Sequence, residues 1–599
     1  MKASIKNHYK QRIDSLSKLK KMQEKILRRI LFARVFSFLF VVSFFVLAIY
    51  WNESAWLFGV IPFLFLFGVL VKKNRNENEL LLLIKKKIEC NEEELLAISG
   101  NFSSFENGKE FLNTSHEFSH DLDVFGENSL FQAINRTSSP ASSNLLAKLL
   151  AHPFTDKKTI RTRQVAVEEL ENKPNWREDF RAKGNLYFTH KKSIDLLSSW
   201  NAKEIPLFEN KTIWKFLFLA IPIFMISVII FAYYAIIPIG FVLVAALIPL
   251  GITGKHLKTI NSQHAKISSF SPILKQHSLL ANKIEEETFG SDLLITIQKK
   301  LLHNESFASV KINELAQLTN QFDNRSNPIF ALLANALFLW DLRYLFGLKK
   351  WLTNNDNGIS NWFEATHEME TYLSLATFAF NNPTFSRPQL SQENLFESKE
   401  LAHPLMQTDN RIANDFEINT LQEFVIVTGA NMAGKSTFLR AVGINLVLAN
   451  CGAPVCASYF KFKPTQLFSS MRTSDSLSNN ESYFYSELKR LQTIVEKLKK
   501  GETLFVILDE ILKGTNSKDK AEGSKKFIKQ LLNYQVSGII ATHDLSLCSL
   551  KEEFPLQISN KYFDVEIEND KLVFDYTLKQ GICSNMNAEF LMKKMGITE

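Results

Sequence analysis

The residues best equipped for chemistry lie in the last third of the chain. Thr428 to Thr437 contains Gly429-x4-Gly434-Lys435-Ser436, the spacing of a phosphate-binding loop. The apolar run Phe424 to Val427 before it reads as a buried strand, and Thr437 to Leu448 reads as a helix. A glycine-rich turn between strand and helix presents the backbone of Gly429, Ala430, Asn431, Met432, Ala433, Gly434, Lys435, Ser436 and Thr437 to phosphate, and the helix dipole adds attraction. Lys435 would reach the β- and γ-phosphates, and the Ser436 hydroxyl would ligate Mg²⁺. The chemistry implied is binding of ATP or GTP with Mg²⁺.

Further parts follow in order. Thr503 to Leu508 is an apolar strand ending in Asp509-Glu510. Asp509 would serve Mg²⁺, and Glu510 would align and deprotonate an attacking water; the alternative is a solvated strand end. A second strand, Gly538 to Ala541, ends in Thr542-His543-Asp544, where His543 is either structural or catalytic. Ser482 opens a helix over 481–500 and could cap it.

These parts need a scaffold, and 599 residues are enough for three or more units. The five scattered cysteines show no paired metal spacing and read as reduced, buried thiols. The net charge of +8 is local: residues 1–34 hold eleven Lys/Arg against Asp14 and Glu24, so the remainder is close to neutral. That basic stretch precedes apolar sequence. Ile30 to Trp51 is apolar apart from Arg34, Ala55 to Val71 is uncharged, and Phe216 to Gly254 has no charge in 39 positions. A membrane span needs about 20 residues, so two transmembrane hairpins, four spans, are expected. Basic flanks before and after each hairpin place both termini and the soluble parts in the cytoplasm, with lipid as a partner.

Between and after the hairpins the text is helical. His120 to Leu170 contains Leu130-Phe131, Ile134-Asn135-Arg136-Thr137, Leu149-Leu150, Pro153, Arg163 and Ala166-Val167-Glu168-Glu169-Leu170. This run resembles the core, or lever, domain of the MutS family of mismatch-repair ATPases. Other motifs extend the resemblance: Ala402-His403-Pro404-Leu405, Ile412-Ala413-Asn414-Asp415, Ser474 to Glu487, Asp509-Glu510 with Gly514-Thr515 and Asp519, His543, and Tyr576-x-Leu578-x-x-Gly581. The resemblance implies an ATPase that dimerises through its nucleotide sites. It implies Ser482 reaching the partner's γ-phosphate, His543 sensing the γ-phosphate and Ile412 near adenine. Ala430 and Ala433 replace the family's usual Pro and Gly, which puts the rate of hydrolysis in question.

The expected architecture is an α/β P-loop ATPase domain joined to an all-α lever with two inserted transmembrane hairpins. The units are 1–29, a basic helix; 30–72, hairpin one; 73–212, helical core; 213–254, hairpin two; 255–385, lever, including a helix over 332–348; and 386–599, the ATPase. The family's mismatch-reading Phe-x-Glu domain is not recognisable, and no Lys/Arg cluster beyond the basic terminus suits duplex phosphates. The leading expectation is a membrane-anchored ATPase moving its levers. ATP-gated binding of mismatched or branched DNA is the alternative. A transporter ATPase is weaker, because the Leu-Ser-Gly-Gly-Gln loop before Asp509 is missing.

Overall fold

The computed structural model describes residues 2–51, 53–187, 202–268, 270–303, 306–355, 358–392, 395–407, 411–472, 483–568 and 571–583. Two long helices open the chain: α1, Lys2–Tyr50, and α2, Leu57–Ile98. They run antiparallel in a fixed register, with Gln23 Nε2 donating to the Glu77 carbonyl at 3.1 Å and Ser37 Oγ to the Phe63 carbonyl at 2.8 Å. Buried positions Tyr9, Leu16, Gln23, Ile30 and Ser37 recur every seven residues, the period of a left-handed supercoil seam. Within the apolar stretch the seam holds Ser37, whereas Phe36 and Phe58 face outward at 60% and 77% exposure. That inverts the pattern of a water-soluble helix pair.

The second apolar block forms α3, Lys211–Tyr233, and α4, Gly240–Lys255. Among the described residues, α1, α2 and α3 are long and apolar enough to cross a membrane. The expected fourth span is a shorter element: α4 has 16 residues and continues, after a 63° bend, into Leu257–Ile267. The helix expected over 332–348 is also corrected. It is broken into α5, Pro328–Phe338, and α6, Trp340–Asn355, which meet at 80° about Leu339, a residue at φ 49°. Asn335 holds the break: its Oδ1 accepts from the Asp341 N–H at 3.0 Å, and Asp341 pairs with Arg325 at 3.0 Å.

The lever domain is built on α7, Ile359–Asn381, buried on nearly every side. Pro140–Ala151 and Lys157–Glu171 pack against it. Both are capped by side chains of the expected kind, Ser139 and Asp156. The foot of the hairpin stem docks here through a buried network. Glu94 receives Arg136 Nε at 2.6 Å, Asn381 Nδ2 at 2.7 Å and Arg181, and the Tyr9 hydroxyl donates to Asn381 Oδ1 at 2.8 Å. Burial alone would push the Glu94 carboxyl up; the two guanidiniums override it and hold it below the usual range.

The C-terminal third is α/β. Its strands are β1, Gln389–Leu390; β2, Phe396–Leu401; β3, Asn414–Ile418; β4, Phe424–Gly429; β5, Tyr459–Phe462; β6, Gln466–Ser470; β7, Leu504–Asp509; β8, Val536–Ala541; β9, Ile558–Phe563; and β10, Leu578–Gln580. A six-stranded sheet has the order β10-β9-β4-β8-β7-β6, parallel except for β10. A smaller sheet runs β1-β5-β2-β3. Alternation along β4 sends Val425 and Val427 into the core shared with the lever, and Phe424 and Ile426 into a second core. α8, Lys435–Cys451, packs on the first side; α9, Tyr483–Lys499, and α10, Ser517–Leu531, supply Ile494 and Ile528 to the second. Gly538 on β8 is required by proximity, since a Cβ there would lie 2.0 Å from the Val506 carbonyl oxygen.

Replacing Glu94 by Ala would leave Arg136 and Arg181 buried without their carboxylate. The expected loss is about 3–5 kcal/mol, read as a large fall in the thermal unfolding midpoint of the purified protein. Glu94→Gln keeps size and one of the two acceptor oxygens and should fall less.

Candidate functional site: a nucleotide cleft at the carboxyl edge of the sheet

In a parallel sheet the carboxyl ends of adjacent strands, where the order of the chain reverses, form the natural ligand crevice. Here β4, β7 and β8 end side by side, with Ala541 registered against both Val427 and Asp509. The loop Ala430 to Gly434 leaves β4 and enters α8, whose N-cap Gly434 has φ 102°, a value that favours glycine. The left-handed position that falls on a side chain is Met432, φ 68° and 78% exposed. Ala433 is buried and is absent from the positive-φ residues, so its methyl group is accommodated without strain.

Lys435 Nζ donates to the carbonyls of Gly429 at 2.7 Å and Ala430 at 2.9 Å, and lies 3.4 Å from His543 Nε2. Burial lowers its pKa, with Asp509 and Glu510 opposing. The Ser436 hydroxyl donates to Asp509 Oδ2 at 2.7 Å. Glu510 Oε1 meets His543 Nε2 at 3.0 Å, and Lys520 Nζ lies 3.9 Å from its other oxygen. The His543 hydrogen bond holds the Glu510 carboxyl down at about 2, against the opposing effect of burial. Glu510 itself sits at φ 52° and Leu512 at φ 61°.

The expected residues Lys435, Ser436, Asp509, Glu510 and His543 are therefore brought together, with Ala430, Asn431, Met432, Gly434 and Thr437 around them in one cleft of about 870 Å³. Gly429 lies at its base through its carbonyl, and its own Cβ would collide with Phe563 at 2.8 Å. Ser436 and Asp509 present two hard oxygen donors at hydrogen-bond distance. Such a pair suits Mg²⁺, which completes its octahedron from phosphate and water. Asp519 stands apart: it accepts from Asn516 at the start of α10 and does not line the cleft. Ser482 lies outside the described residues, as do the other residues of 473–482 and residues 584–599.

Sequence reasoning missed three parts. First, Glu487 on α9 accepts the backbone N–H groups of Leu512 and of Lys513 (3.0 Å), clamping the turn that follows Glu510; burial pushes this carboxyl up. Second, the cleft that Ile412 lines, 48% exposed, also carries aromatic rings: Phe563, Phe574 and Tyr576 line it together with His403. Third, Asn414 fixes Tyr576 by donating to its carbonyl at 3.1 Å and accepting from the Leu578 N–H at 2.7 Å. The motifs containing Asn414, Glu487 and Tyr576 were visible, but their clamping contacts were not. Arg411 braces the loop behind Ile412, donating to the Met406 carbonyl at 2.7 Å and Cys456 Sγ at 3.0 Å.

Two family models match this chain: MutS domain III over residues 110–196 and MutS domain V over residues 425–591. Among curated proteins, a DNA mismatch repair protein MutS of Thermotoga petrophila is 30% identical over 226 residues, 37% of this chain and 27% of that protein. MutS protein homolog 4 of Homo sapiens is 28% identical over 195 residues, 31% of this chain and 20% of that protein. A MutS of Methanosarcina barkeri is 26% identical over 491 residues, 75% of this chain and 53% of that protein. The chain thus spans between a fifth and about half of the length of these relatives. The two domain models fall on the lever and on the nucleotide cleft in that order, and with these relatives they support membership of the MutS family for this chain.

Proposed function

We propose that the chain is a membrane-anchored MutS-like ATPase that hydrolyses ATP at composite dimer sites and uses the cycle to move its helical levers. The observation that carries the reading is the convergence of Lys435, Ser436, Asp509, Glu510 and His543 on one cleft. The aromatic wall of Phe574 and Tyr576 suits a purine ring facing Ile412. Binding of the triphosphate would draw Lys435 from the carbonyls of Gly429 and Ala430 onto the β- and γ-phosphates. His543 would turn from Glu510 to the γ-phosphate, freeing the carboxylate to orient water for in-line attack. Ser436 and Asp509 would hold Mg²⁺, which neutralises charge developing on the phosphate oxygens. Ser482 of a second copy would complete the site.

The anchoring part of the reading rests on α1, α2 and α3, and on the basic flanks that set their orientation. Coupling has a short physical route. The foot of α1 and the end of α2, from Lys2 to Lys6 and Ile98 to Gly100, form a groove with Pro404 to Gln407 and Arg411. That loop leads directly to Ile412, so nucleotide binding and stem position share a wall.

A second reading is ATP-gated binding of mismatched or branched DNA, favoured by the similarity to DNA mismatch repair proteins. Its test is binding of duplex and heteroduplex DNA as salt is varied; a flat slope, or no binding at about 50 mM salt, removes it.

Two outcomes are expected for the ATPase. Glu510→Gln should bind Mg-ATP and accumulate as an ATP-loaded dimer with phosphate release reduced by about 10²-fold or more; normal turnover in that variant removes Glu510 from the role. Tyr576→Ala should weaken ATP binding, measured by equilibrium titration, by about 1–3 kcal/mol if the ring stacks on the base. Unchanged affinity would place the base elsewhere.

A further inference from the structure

Helix α5 is too short to count as a span, yet it is the most conspicuous apolar surface outside the hairpins. Ser326 to Trp340 contains no charged residue. Ile329 is 73% exposed, and Leu332 and Leu333 are each 57% exposed. A water-soluble surface helix does not carry three large aliphatic side chains bare on one face. The second half of α5 is already used: Ala334, Asn335 and Ala336 are buried in succession, and the helix packs against both α3 and α4. Small residues there let the helix backbone approach its neighbours closely.

The two ends of α5 are held by polar groups. Asn327 caps the N-terminus, accepting from Ile329 and Phe330. Arg325 bridges to Asp341 beyond the C-terminus and to Asn261 Oδ1 at 2.8 Å. Arg343 donates to the Phe218 carbonyl near the start of α3. Entry and exit are thus pinned together at the root of the second hairpin. An apolar helix of about 10–14 residues whose ends are held together in this way suits an interfacial or re-entrant element.

We propose that α5 is a further membrane-contacting element, whose Ile329–Leu332–Leu333 face lies in the acyl region of the bilayer beside α3 and α4. The argument for lipid over a protein partner is continuity. α5 packs on α3 and α4, which themselves carry exposed apolar side chains, Leu219, Ile223, Leu243 and Leu247 among them. The inference rests on the membrane-anchored reading, and it adds that the lever itself touches the bilayer at α5. The rigid 80° junction with α6, set by Asn335 and Asp341, then links lipid contact to the lever.

The test uses the full chain in liposomes of phosphatidylcholine and phosphatidylglycerol. All five native cysteines are buried, so an introduced surface thiol can be labelled selectively. An environment-sensitive fluorophore is placed at Leu333→Cys, at Ile226→Cys on α3, and at Lys526→Cys on the ATPase. Expected is loss of emission at positions 333 and 226 with nitroxide-bearing acyl chains but not with aqueous iodide, and the reverse at 526. Lipid quenching at 226 with iodide quenching at 333 overturns the inference and leaves the anchored reading standing. Iodide quenching at 226 overturns the anchored reading itself. Protection of 333 from both quenchers shows that protein, such as a second copy, covers the face, and also overturns the inference.

Discussion

A single buried carboxylate organises the half of the molecule that surrounds the nucleotide domain. Glu94, 3% exposed, is reached by Arg136 from the lever core, by Arg181 from the neighbouring helix and by Asn381 from the end of α7. Tyr9 closes the ring from α1. Such a group is costly to bury, and the two guanidiniums with their own hydrogen bonds offset that cost only while every partner is in place. Hairpin stem, core and the helix leading into the ATPase therefore dock in one arrangement. An apolar contact of similar area would tolerate sliding by a turn; this one has no second register.

The nucleotide cleft is organised by strain of a different kind. Three of its non-glycine residues, Met432, Glu510 and Tyr576, and Leu512 in the turn beyond Glu510, occupy left-handed backbone positions. Each such conformation costs on the order of 1–3 kcal/mol and persists because surrounding contacts impose it. The imposing contacts are identifiable for two of the segments: Glu487 holds the turn at Leu512 and Lys513, and Asn414 holds the chain at Tyr576 and Leu578. Lys435 meanwhile rests on the carbonyls of Gly429 and Ala430, and Glu510 on His543. Each group keeps a partner until phosphate offers a better one.

What could be read before the structure was known divides along sequence distance. The phosphate loop, its strand and helix, and the Asp509-Glu510 edge depend on residues within a few positions of each other, and each is found where spacing places it. The Asn414 clamp joins residues 162 apart and the Glu94 ring joins residues up to 372 apart, so no local pattern announces either. The break at Leu339 escaped for another reason. It has no Gly or Pro, and the αL turn is enforced by Asn335 capturing the Asp341 N–H. Apolar periodicity runs through such a corner unaltered, which is why 332–348 read as one helix.

The heptad seam of α1 and α2 has a geometric result. From Tyr9, docked in the lever, to Ile30, where the apolar run begins, the stem covers 21 residues of unbroken helix, about 32 Å at the usual rise. On the anchored reading, every copy of the ATPase is held at the same stand-off from the bilayer. Nucleotide clefts fixed at one height meet by diffusion in a plane, where tethering raises effective concentration without any new contact. Pairing would then follow the number of copies per area of membrane, and dilution of the surrounding volume would not separate them.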